Sequence, residues 1–330
     1  MIKKEVNKDV FLSIRDLVVE YQSEGKTVHA VNGVSFDLEK GKTIGLVGET
    51  GAGKTSIAKA ILRILPDHAT KRADGVVWLD GRDIMEIPET EMQKLRGHTL
   101  SMIFQDPMTA LNPVKTVADQ IAEVVKLHTS LGKAESLEKA KEMLGMVGIS
   151  PDRAGEYPHQ FSGGMKQRVV IAMALACSPQ VLIADEPTTA LDVTIQAQVL
   201  EMINELKEEL QTSMIMITHD LGVVAETCDT VAVTYAGQII EYGTLEDIFD
   251  HPAHPYTIGL FRALPNMNKG VERLSPIEGL PPDPTDLPAG CSFSPRCPYA
   301  SEACRSGEIK NIQITDTHEC RCIRVKKEEV

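Results

Sequence analysis

No apolar stretch in this 330-residue sequence is long enough to cross a bilayer. The longest unbroken one, Val169 to Cys177, falls far short of the roughly 20 residues that a spanning helix needs. The opening MIKKEVNKDV carries charge but no apolar core, so no secretory signal is expected and the chain is expected to work in the cytoplasm. Basic charge is short as well: 34 Lys and Arg face 47 Asp and Glu, a net charge of −13. Nucleic-acid backbones are gripped by clustered Lys and Arg, so nucleic acid is not expected as a partner. Cysteine is nearly absent before residue 290, where only Cys177 and Cys228 occur. Seven cysteines in a reducing compartment are not a disulfide framework. There is no internal repeat. What is present, 42% hydrophobic and 25% charged residues, suits a globular protein with a sizeable core.

Residues 11–47 read as strands, in FLSIRDLVVEY, VHAVNGVSFDL and TIGLV. GETGAGKTS interrupts them, and IAKAILRIL continues as an amphipathic helix. A second strand–helix–strand unit runs from VLIAD through a helix near Thr194–Leu210 to SMIMIT. Strands alternating with helices predict an α/β fold with a mostly parallel sheet. Between the two units, about residues 106–178, VADQIAEVVKLH and LEKAKEMLGMVG predict an inserted helical subdomain. From about Pro252 the composition shifts. LPPDPTDLPAG reads as a stiff linker, and a cysteine-rich tail follows. These shifts divide the chain into a domain over 1–250 and an extension over 251–330.

Gly48-Glu49-Thr50-Gly51-Ala52-Gly53-Lys54-Thr55, followed by Ser56, matches G-x-x-x-x-G-K-[ST]. Glycines let the backbone wrap around phosphates with its N–H groups pointing inward. The following helix offers its positive end. Lys54 is placed to reach the β- and γ-phosphates, and Thr55 to take a position on Mg²⁺. An acidic chain still binds ATP this way, because the local amides and the metal set the field. Val181–Asp185 is an apolar strand ending in a carboxylate, and Glu186 follows. Asp185 then holds the metal, and Glu186 orients the attacking water and accepts its proton.

Five further pieces follow in the order found in ABC ATPases, which the chain resembles. Gln105, ending LSMIFQ, resembles the glutamine that touches the metal and senses the membrane subunit. Phe161-Ser162-Gly163-Gly164-Met165 resembles the LSGGQ signature, with Phe161 and Met165 departing from it. Ala190-Leu191-Asp192 resembles the D-loop, His219 the switch histidine at the γ-phosphate, and Tyr21 the aromatic that stacks on adenine. Taken singly, these are an ordinary strand end, a helix cap, a core histidine and a core aromatic; the constellation carries the reading. Ser162 also reads directly as the cap of a helix starting at Gly163, whose uncovered amides form an anion site.

FSGGM, TTALDVT and the segment His251-Pro252-Ala253-His254-Pro255-Tyr256-Thr257 resemble the dipeptide and oligopeptide importers. The resemblance implies a P-loop NTPase with a RecA-like core and an antiparallel β subdomain. It implies a second ATPase subunit, either an F-type paralogue or a second copy, whose signature helix closes on the γ-phosphate. Two membrane permeases and, indirectly, an extracellular peptide-binding protein complete the assembly. A soluble ABC ATPase of repair or translation, and an importer ATPase for a related solute such as a nickel chelate, are the alternatives.

Cys291, Cys297 and Cys304 are spaced C-x5-C-x6-C, and His318, Cys320 and Cys322 follow. Spacing alone leaves unligated thiols, structural zinc and an iron–sulfur cluster open. CSFSPRCPYASEAC resembles the tail of the D-type importer ATPase, which holds a [4Fe-4S] cluster in some members. That resemblance implies Cys291, Cys297, Cys304 and Cys322 as ligands, with Cys320 the spare candidate for the fourth place. Cys177 and Cys228 read as small buried residues.

Overall fold

The computed structural model describes residues 10–189, 191–263 and 276–325. It divides into two compact units. One takes in Leu38–Thr43 and Glu86–Thr218 with the chain up to Phe11, the other Leu12–Asp37, Ile44–Met85 and the chain from His219.

In the first unit, Val181–Asp185 runs parallel to Leu100–Ile103 on one side and Ser213–Thr218 on the other. All three strands are buried along their whole length, which is why they read as continuous apolar runs rather than alternating ones. The strand predicted over LSMIFQ stops at Ile103; Phe104 is 43% exposed and Gln105 lies in the loop beyond. The inserted segment is helical, in Val117–His128, Lys133–Met146 and Gly163–Leu175. Thr116 caps the first of these, its hydroxyl accepting from the Asp119 amide at 3.2 Å. Val117, Ala118, Ile121 and Val125 form its buried stripe. The helix Val193–Glu209 follows the central strand and buries Val199, Leu200, Met202, Ile203 and Leu206.

In the second unit, the strand Val10–Ser23 from Leu12 onward pairs antiparallel with Thr70–Leu79, within a four-stranded sheet. Thr43–Val47 runs parallel to Thr230–Tyr235. From there the chain reverses through Ala236 and Gly237, both at positive φ, into the antiparallel strand Gln238–Thr244. Two such residues make the tight hairpin whose twist suits paired strands. The helix predicted over IAKAILRIL ends at Ile61, with Arg63 at φ 51 and the Ile64 amide donating back to Lys59 O at 2.9 Å. That left-handed stop precedes Pro66 and closes the last turn early.

The C-terminal segment is not a loose tail. Glu319–Cys320 adds an antiparallel strand to Gln238–Thr244, opposite Glu241 and Tyr242, and Ile312–Gln313 pairs outside it. LPPDPTDLPAG carries no regular element, as its prolines predict. Cys228 is buried as expected; Cys177 is half-exposed at the end of its helix. Among the described residues, no helix is long and apolar enough to cross a membrane.

Candidate functional site

The glycine-rich loop lies in the second unit, between the buried strand Thr43–Val47 and the helix Lys54–Ile61. Backbone closes in on it from both sides. At Gly48 (φ 153) an added Cβ would meet Thr234 O at 2.2 Å, and at Gly53 (φ 94) it would meet Ala30 O at 2.3 Å. Only glycine fits either place. Gly48→Ala is expected to destabilise the fold by about 1–3 kcal/mol, read as a lowered Tm, because backbone must move to admit the methyl. Lys54 is buried, and its ammonium donates to Gly48 O at 2.7 Å and Glu49 O at 3.0 Å. The lysine thus reaches back over the loop it follows. The Tyr21 hydroxyl donates to Ser56 Oγ at 3.1 Å, placing that aromatic ring at the first turn of the helix. Thr50 and Gly51 are exposed at the loop tip, while Ala52 is buried and its carbonyl accepts from the Gly237 amide at 3.1 Å. Thr55 is half-buried, and His219 is exposed just past Thr218.

The carboxylates lie in the first unit. Asp185 is 2% exposed at the end of its strand. Glu186 takes a left-handed backbone, φ 48, with its amide donating to Ile217 O at 2.8 Å. A non-glycine residue held there is costly, and such positions mark functional sites. Its carboxylate Oε2 accepts from Gln105 Nε2 at 2.8 Å and Thr189 Oγ1 at 2.9 Å. Gln105 and Glu186, singled out separately in the sequence, are in direct contact although 81 residues separate them.

Ser162 caps the helix Gly163–Leu175 as predicted, its hydroxyl accepting from the Met165 amide at 3.4 Å. Gly163 faces open space, whereas a Cβ at Gly164 would meet Ile195 Cγ2 at 2.8 Å. The two departures from the signature are explained together. Arg153 lies over the Phe161 ring at 4.4 Å, and its Nη1 reaches Met165 Sδ at 3.4 Å. Leu191 and Asp192 lead into the helix Val193–Glu209; Ala190 lies outside the described residues.

Cys291, Cys297, Cys304 and Cys322 border one cavity of about 20 Å³, together with His254, Phe293 and Arg324. Cys320 is buried but does not line it. Burial pushes the Cys291 and Cys297 thiols up from the usual range, while hydrogen bonds from Ser301 pull Cys304 down. Among the described residues, no three or more His, Cys, Asp or Glu gather tightly enough to hold a single metal ion. His254 is 1% exposed; its Nδ1 accepts from the Tyr256 amide at 3.0 Å, and its Nε2 has no hydrogen-bond partner among the described residues. Burial pushes its pKa down to about 4. Behind it, the fully buried Glu241 accepts from the amides of Ala253 and His254 and meets His318 Nε2 at 2.9 Å.

Sequence reasoning missed Arg296 and Glu241, and it named Tyr256 within the His251–Thr257 segment without its contact to Glu49. Arg296 binds a residue 247 positions away, and no local pattern announces such a contact. The local signals were the position of Arg296 beside Cys297 and of Tyr256 in the His254-Pro255-Tyr256 stretch.

A glycine loop opening a helix, an apolar strand ending in Asp-Glu, and a serine-capped glycine pair define an ATP-binding cassette ATPase. The ABC transporter family profile matches residues 31–189, and that of the oligopeptide/dipeptide transporter C-terminal region matches 240–304. Escherichia coli oligopeptide transport ATP-binding protein OppD is 50% identical, with 90% of this chain and 88% of that protein covered. Bacillus subtilis dipeptide transport ATP-binding protein DppD is 48% identical, over 94% and 93%. The chain belongs to the ABC transporter ATP-binding proteins of the oligopeptide/dipeptide type. A dimeric structure of the ATP-binding cassette MJ0796 bound to ADP and Pi shares the fold, at TM-score 0.64 and 24% identity, covering 71% of this chain and 98% of that one.

Proposed function

We propose that this chain is the subunit that binds and hydrolyses Mg-ATP to power import of dipeptides or oligopeptides. The observation that carries the reading is the left-handed Glu186, its carboxylate held by Gln105 and Thr189. The geometry suits a base kept ready beside a metal-sensing glutamine. In this reading Gly48–Ser56 hold the triphosphate, with Lys54 on the β- and γ-phosphates. Tyr21 turns from Ser56 to stack on adenine. Thr55, Gln105 and Asp185 hold Mg²⁺. Glu186 draws the proton from water as its oxygen attacks the γ-phosphorus, and the β–γ bridge oxygen leaves with ADP. His219 contacts the γ-phosphate. Ser162, Gly163 and Gly164 serve the nucleotide of a second cassette, so the working form is a pair. The MJ0796 dimer supports that arrangement by fold alone.

The pair docks from the cytoplasm beneath two permease subunits, fed by an extracellular peptide-binding protein. The names of the OppD and DppD relatives support the peptide cargo. Residues 1–250, with the insert over about 106–178, act as the nucleotide-binding domain, and 251–330 as an extension. Co-expression with two peptide-importer permease subunits tests this: the chain is expected to co-purify with them and its ATP turnover to rise with peptide and binding protein. Stable ATP-dependent binding to DNA or ribosomes instead would overturn it.

We further propose that Cys291, Cys297, Cys304 and Cys322 hold a [4Fe-4S] cluster. Four thiols bordering one cavity match the donor set that such a cluster takes. The unpartnered His254 Nε2, which carries the ring proton because Nδ1 is an acceptor, supplies a donor for a sulfur there. Such a cluster would cross-link the C-terminal segment and add a one-electron centre. Cys322→Ser is expected to lose the iron and the brown visible absorbance, and Cys320→Ser to keep both. Iron retained in Cys322→Ser would reject that ligand set.

A further inference from the structure

The C-terminal segment grips the phosphate loop at Glu49. The Arg296 guanidinium forks onto both of its carboxylate oxygens, at 2.7 and 3.1 Å. The same side chain, 4% exposed, donates to Tyr235 Oη and Ile277 O at 3.3 Å and to Glu278 O at 3.0 Å. Tyr256, fully buried against Tyr235 and Phe293, accepts the Glu49 amide at 3.0 Å. The loop's second residue is thus held by its main chain and its side chain at once.

Phosphate chemistry does not ask for a carboxylate in this place. A negative side chain within the loop repels a triphosphate, and at a partly buried site that repulsion is poorly screened. Arg296 cancels the charge, and its planar fork fixes where the carboxylate points. A buried ion pair is weak evidence for stability, so the gain is better sought in the site than in the fold. Holding the loop before ligand arrives also lowers the ordering cost of binding.

We propose that Arg296 and Tyr256 are positioning residues for ATP binding, acting through Glu49: Arg296 neutralises its carboxylate and Tyr256 fixes its amide. The inference rests on the reading that this loop binds Mg-ATP.

The test is steady-state hydrolysis and equilibrium Mg-ATP binding by full-length R296Q, E49Q, the double variant and Y256F. R296Q is expected to raise KM for ATP roughly five- to tenfold, the low end of typical coupling, with kcat changed less than about twofold. The double variant is expected to regain near wild-type affinity, because removing the carboxylate removes the repulsion. A merely structural role would leave the double variant at least as impaired as R296Q. Y256F, which keeps the ring and does not line the cysteine-bordered cavity, is expected to raise KM roughly two- to fivefold, about one hydrogen bond's worth. It decides the matter should R296Q not fold. Unchanged KM in folded R296Q or in Y256F, or no recovery in the double variant, would overturn the proposal. Failure of the wild-type chain to bind Mg-ATP would instead sink the nucleotide reading on which it rests.

Discussion

Glu186→Gln is expected to bind Mg-ATP as well as the wild type while turning it over about 10²–10⁴-fold more slowly, the usual worth of a positioned general base. The amide keeps the size of the side chain and can still accept from Gln105 Nε2 and Thr189 Oγ1, which both reach Oε2. It cannot accept the water's proton. The backbone at φ 48 is set by the strand end and by the amide bond to Ile217 O, so the substitution leaves it in place. Binding without hydrolysis should also accumulate an ATP-bound pair, visible as a dimer by gel filtration in Mg-ATP and as a monomer without it. Wild-type turnover in this variant would remove Glu186 from the chemistry.

Lys54→Ala should act on the other side of the cycle, at binding. The ammonium is buried and bonded to Gly48 O and Glu49 O. Its loss removes the cation meant for the β- and γ-phosphates and leaves two loop carbonyls without their donor. Truncating one partner of a buried, hydrogen-bonded charge costs enough that Mg-ATP affinity is expected to fall roughly 10²-fold or more. Isothermal titration reads this directly. Glu186→Gln and Lys54→Ala therefore separate cleanly: one keeps the ligand and loses turnover, the other loses both.

Much of this was legible in the sequence because the chemistry is written in short segments. The loop Gly48–Thr55 needs its glycines where backbone approaches, and Gly48 and Gly53 sit where a Cβ would collide. The strands Val181–Asp185 and Ser213–Thr218 read as buried because both their faces are covered. Ser162 announced its helix, since a cap is a local device. Boundaries were less legible. The strand before Gln105 ends two residues early, and the helix after the loop stops at Ile61 because Arg63 adopts a left-handed turn that no preceding glycine signals.

What the sequence hid is what distant residues do to each other. The tail read as a stiff linker followed by a cysteine-rich segment with little periodicity, yet Glu319–Cys320 pairs with Gln238–Thr244. Once that strand is in register, Cys322 comes to the cavity shared with Cys291, Cys297 and Cys304, and Cys320 does not. Phe161 and Met165 looked like departures from a pattern until Arg153 was found against both. Arg296 and Glu49 meet across 247 positions, a contact set by folding rather than by any local periodicity.

The most direct test of the central claim is a thermal-shift titration of the purified wild-type chain with Mg-ATP. Saturable binding is expected to raise the Tm with ATP concentration, by the equivalent of about 2.7 kcal/mol of stabilisation at a hundred times Kd, and Lys54→Ala is expected to lose the shift. A Tm that ignores Mg-ATP, or a shift that survives intact in Lys54→Ala, would contradict the account.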